Sequence, residues 1–184
     1  MSARFVTVLI CAALTACSLA TPPPDTAQVP LAAFGTLDND VGAANIASAA
    51  FASPARTANN PVDAARACAA IDFLAGELSS NPRWVTLSPF TKQEMLKARV
   101  DVRAVLGVVP QAPSQMVVAA LLQFAAAWQA GDQHTAMQML AAPAFLHPPQ
   151  QTLQILTDLP FIPTANRASI DAANQMLPGG DARR

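Results

Sequence analysis

Few side chains in this sequence have the type and spacing that chemistry requires. The two histidines, His134 and His147, fall on different predicted elements, and each reads as an exposed or cap-like residue. The sequence holds no His-Glu-x-x-His, no paired Cys-x-x-Cys and no calcium loop, so no metal-ligand set of recognisable spacing stands in it. It also lacks a Gly-x-Ser-x-Gly elbow, a phosphate loop and a Gly-x-Gly-x-x-Gly turn, and nothing in it implies a cofactor. Glu77 and Glu94, the only glutamates, are the candidates for an acid/base pair acting on a glycosidic bond. Each also has an ordinary structural reading. Glu77 precedes the helix-ending run Leu78-Ser79-Ser80-Asn81, and Glu94 completes a capping box begun by Thr91. Cys68 lies among Ala67, Ala69 and Ala70, with no basic neighbour to activate a thiolate, and reads as a small buried apolar residue. The sequence therefore favours a chain that binds over one that catalyses.

Two other groupings could make surfaces. Arg83, Lys92, Lys97, Arg99 and Arg103 gather half of the basic residues that follow Arg4 into one stretch, against Glu94 and Asp101. Such a run is either a solvated helix face, with Lys97 and Asp101 paired at i, i+4, or a basic patch for an anionic head group, a peptidoglycan carboxylate or an acidic partner. Phe145, Phe161 and Ile162 stand among prolines. They serve either as hydrophobic corners of the core or as the lining of an apolar groove.

The elements that must position these residues read as helices throughout. From Asp38 onward no stretch alternates at period two, and prolines mark the corners. A weak helix is expected over 39–52. Asn60 and Pro61 open a clearer one carrying Ile71, Leu74 and Leu78 on one face. Ser88-Pro89 and the Thr91 capping box give two overlapping starts for a helix that stops at Gly107. Ser114 is expected to cap the most hydrophobic helix, 115–130, which the pattern places at the centre of a bundle. Asp132 caps a short helix ending before Pro143, another runs from Pro148-Pro149 to Leu159, and Thr164 caps a last one to Leu177. The helix–Gly131–Asp132–helix hairpin faintly resembles one tetratricopeptide unit, but no second copy follows at that period. The expected fold class is all-α, a small bundle of six or seven short helices. With 52% hydrophobic residues, largely alanine, and no tyrosine, its core must be tight and aliphatic.

The N-terminus carries the address. Arg4 precedes an uncharged run from Phe5 to Ala16 that ends in Leu14-Thr15-Ala16-Cys17. A short basic start, an apolar stretch and small residues before a cleavage point make a secretory signal peptide. The run is too short to cross a bilayer. Its last four residues resemble the lipobox of bacterial lipoproteins. That resemblance implies cleavage before Cys17 and lipidation of Cys17 by a thioether-linked diacylglycerol with an N-acyl chain, two or three chains being enough for stable anchoring. Ser18-Leu19-Ala20 offers a rival site for ordinary signal peptidase, with release of a soluble protein beginning at Thr21. Ser18 in place of an inner-membrane retention Asp points to the outer membrane, facing the periplasm. No intramolecular disulfide is expected, because Cys11 leaves with the signal and Cys17 is alkylated.

The chain divides into a signal peptide (1–16), a lipidated Cys and Pro-rich tether (17–37), an all-α domain (38–178) and a polar tail (179–184). Residues 18–37 fully extended would reach about 60 Å at roughly 3.1 Å each. Loss of Arg4 leaves ten basic against twelve acidic side chains, which lacks the footprint of a nucleic-acid binder. The expectation is a lipid-anchored envelope protein acting as a non-catalytic interaction or accessory module. Its expected partners are the membrane, through the lipid, and an envelope protein or peptidoglycan. A small-ligand or lipid-binding module is the alternative, and a wall-active hydrolase the third reading.

Overall fold

The computed structural model describes residues 25–176, so the expected signal peptide, Cys17 and the expected polar tail lie outside the described residues. Seven α-helices form the fold: α1 Asn39–Ala50, α2 Pro61–Ser80, α3 Pro89–Leu106, α4 Ser114–Gln129, α5 Gln133–Leu140, α6 Pro149–Thr157 and α7 Pro163–Met176. Two 3-10 turns, Pro54–Arg56 and Pro82–Trp84, fill corners between them. No strand is present among the described residues; one isolated bridge joins Val108 to Phe145. The all-α class read from the sequence is the class observed.

Local chemistry sets most boundaries. The side chains of Asp38, Asn60 and Asp132 accept from the amides of Val41, Asp63 and Thr135, each satisfying an orphan donor of a first turn. Pro61, Pro89, Pro149 and Pro163 open helices where no amide is required. Gly107 ends α3 in a left-handed conformation, φ 65°, that a β-carbon disfavours. Of the two starts expected for α3, Ser88-Pro89 prevails. Thr91 is inside the helix and buried, and its hydroxyl accepts from Gln175 on α7, so the capping box is not formed.

The helix at the centre is α2, which packs against α1, α3, α4 and α6. Fourteen of its twenty residues are buried, seven of them alanine or glycine. Small side chains let four neighbours approach one axis, which matters more for centrality than greasiness does. This corrects the expectation for α4. That helix buries Val117, Val118, Leu121 and Phe124 on one side and leaves Gln115, Gln123, Ala126 and Gln129 exposed on the other.

A second correction concerns the tether. The expected spacer (17–37) shortens, because residues 25–37 lie on the domain, with Ala27 and Phe34 in the core. Two glycines seat this segment. A β-carbon on Gly76 of α2 would lie 2.6 Å from the Asp25 carbonyl, and one on Gly42 of α1 would lie 2.7 Å from that of Phe34. The segment crosses both helices where side chains are missing.

Candidate functional site

The segment is locked at its start. The Asp25 carboxylate accepts from the amide of Ser114 at 2.7 Å and from its hydroxyl at 2.9 Å. Pro113, which precedes α4, has no side-chain acceptor, so Asp25 serves as the cap from 89 residues away and complements the positive end of the helix. Behind it lies a buried ion pair. Arg103 grips Asp72 through two parallel bonds, Nε to Oδ2 at 2.6 Å and Nη2 to Oδ1 at 2.8 Å, with the residues 7% and 2% exposed. Its remaining donors reach the Ala112 carbonyl, the Ser114 hydroxyl and Asp25, and Arg99 also meets Asp25 at 3.3 Å. Burial alone would raise the Asp25 pKa. The Ser114 amide and hydroxyl, with Arg99 and Arg103, outweigh it and hold the carboxyl below its ordinary value.

Held there, the segment walls two grooves. The larger, about 600 Å³, runs between residues Gln28 to Ala33 and the outward face of α4. Val29, Pro30, Ala33, Val118, Ala119 and Leu122 make it largely apolar, and Gln28, Gln115, Gln123 and Gln129 give it a neutral polar rim. Gln28 and Gln115 fix the two walls together, the Gln28 amide donating to the Gln115 side chain and that side chain donating back to the Gln28 carbonyl. The smaller groove, about 490 Å³, lies between Phe34–Thr36, α1 and α2 and includes Arg56 and Asp63. Arg66 of α2 belongs to both. It is half-buried and makes no ion pair among the described residues; the one hydrogen bond it donates there goes to the Ala33 carbonyl at a long 3.5 Å.

The expected basic patch does not form as a surface. Arg103 is buried on Asp72, and Arg99 turns in to Asp25. Arg83 pairs with Asp38 and Asp40 and lies 4.4 Å over the Trp84 ring, whose indole donates to Asp40. Lys97 pairs with Asp101 on its own helix, and Lys92 alone of the five makes no ion pair among the described residues. The acids that meet Arg83, Arg99 and Arg103 come from distant positions, which a count along residues 83–103 cannot include.

The apolar trio separates as well. Phe145 and Ile162 are buried in the core, while Phe161 is 50% exposed beside a crevice of only about 10 Å³. Ile162 lines that crevice with Phe161, and Phe145 does not, so the three share no groove.

Glu77 accepts from Asn81, and Glu94 faces Arg167 at 3.9 Å; neither lines either large groove. His134 is exposed and bonded to Gln138, and His147 packs over Gly107. Burial pushes the Cys68 thiol up to about 12, with the Asp72 carboxylate adding to the shift, so it stays an inert thiol. Among the described residues no three His, Cys, Asp or Glu gather as metal ligands, and no helix is long and apolar enough to cross a membrane.

Arg66 was not singled out from the sequence, though one signal marked it: it is the only basic residue in the twenty-residue, alanine-rich α2. No protein-family model, no curated protein and no solved structure matches this chain.

Proposed function

We propose that the chain is a lipid-anchored protein of the bacterial envelope whose folded part is a non-catalytic binding module. The observation that carries this reading is the lock on Asp25. Cys17, the residue of the lipobox-like run, stands eight positions before it, and eight residues span at most about 28 Å. An acylated Cys17 would therefore hold the 25–37 segment, and the grooves it walls, near the membrane surface. Leu31 and Leu37 of that segment are 75% and 78% exposed, which suits a face turned towards lipid head groups. The outer membrane, facing the periplasm, is the location that Ser18 favours. Accessory binding there, to an envelope component, is the role that fits a fold whose carboxylates and histidines are mostly engaged in structure.

The test is fractionation of the full-length protein and its Cys17→Ala variant. The reading expects the parent in the membrane fraction, resistant to high-salt extraction, and the variant released from it or left unprocessed. A Cys17→Ala protein that is processed and still retained by membranes as well as the parent would contradict it.

A further inference from the structure

The larger groove carries a charge pattern that selects a ligand class. Among the described residues Arg66 is the only charged side chain on its wall, and the other polar side chains there are glutamine amides. Arg66 as a residue is half-buried, and its one hydrogen bond among the described residues is long. A cation so placed lacks a partner it is built to hold, because its planar fork fits a carboxylate through two parallel bonds. Beyond it the wall is apolar. From Gln115 to Gln129 the α4 side is about 20 Å long at roughly 1.5 Å per residue. The 600 Å³ falls within the roughly 300–1,000 Å³ of small-molecule sites.

We propose that this groove holds a fatty-acid anion, with its carboxylate on Arg66 and its single hydrocarbon tail laid along α4 between Val29, Pro30, Val118 and Leu122. A long apolar trough with one positive charge complements an amphiphile with one negative charge and one tail. A phosphomonoester would leave its second negative charge without a cation among the described residues of this wall, and a diacyl phosphodiester would bring two tails to one trough. The glutamine rim supplies hydrogen bonds near the head without repelling it. The inference rests on the reading of the folded part as a binding module and names what it binds.

The experiment uses the chain from Ser18 to its end, which keeps every residue of the described core. Laurate is titrated by calorimetry below its micelle concentration, beside two probes of the same tail, neutral dodecanol and cationic dodecyltrimethylammonium. The expected result is saturable binding of one laurate per chain, weakened roughly tenfold or more in dodecanol, in the cation, and for laurate in Arg66→Gln. Ala126→Trp, which puts a ring into the groove from an exposed position, should abolish binding while circular dichroism stays unchanged; this variant keeps the test decisive if Arg66→Gln fails to fold.

Absence of saturable laurate binding would overturn the proposal. So would equal affinity for dodecanol, which would fit a neutral acyl chain such as the anchor's own, or binding unaffected by Ala126→Trp. None of these results touches the membrane reading, which stands or falls on the Cys17→Ala fractionation.

Discussion

Arg103 shows how the charged residues of this protein are used. Its guanidinium is buried against Asp72 with each of its nitrogens bonded to an acceptor, an arrangement in which a lost partner costs far more than the intact pair contributes. Arg103→Met should therefore lower unfolding stability by about 3–5 kcal/mol in urea titrations, because it strands the Asp72 carboxylate. Adding Asp72→Leu should return part of that loss. A single variant as stable as the parent would mean that the pair is open to water. Asp25 gives the matching pH dependence. Its carboxyl pKa is held below its ordinary 3.8, so the stability it contributes is present above pH 3.8 and lost as the pH falls below that value towards the folded-state pKa. Asp25→Asn should cost about 1 kcal/mol at neutral pH, the scale of a lost helix cap, and should flatten the acid limb of the stability curve. An unaltered acid limb would show that the carboxylate is not what caps α4.

The elements divide into those that neighbours in sequence determine and those that distant residues determine. Helix starts were legible where an Asn or Asp cap or a first-turn proline acted locally, as at Asp132, Asn60 and Pro61, whereas Ser114 and Thr164, expected as caps, lie inside α4 and α7. The all-α class followed from the same signals. Four features were not legible. The inner end of the tether depends on Asp25 meeting Arg99 and Arg103, more than seventy residues away. The basic run disappears as a surface because Asp38, Asp40, Asp72 and Asp25 fold onto it. Centrality passed from α4 to α2 because alanine bulk, which hydropathy undervalues, sets how closely helices pack. The grooves were illegible because one wall of each belongs to the segment read as spacer. The seating of that segment is itself testable. Gly76→Val puts a branched side chain where the Asp25 carbonyl lies 2.6 Å from the β-carbon site. It should lift the segment's start, expose 25–37 to limited proteolysis and open the larger groove while α1–α7 remain helical. Protection equal to the parent's would mean that the crossing is looser than this geometry.

At the scale of the whole molecule, the fold is a bundle around an alanine-rich helix, with a locked strap that begins eight residues after the lipobox-like cysteine. In the proposed reading that order would make anchor, strap and groove one arrangement: acyl chains at Cys17, a short connection, and an apolar trough near the bilayer surface. Ordinary signal cleavage after Ala20 would leave the same bundle free in the periplasm and remove the reason for its exposed leucines to face lipid. The measurement that separates these outcomes most directly is the intact mass of the mature protein recovered from the membranes of the cells that make it. The account predicts a mass equal to residues 17–184 plus two or three acyl chains. A mass corresponding to an unmodified chain beginning at Thr21 would contradict it.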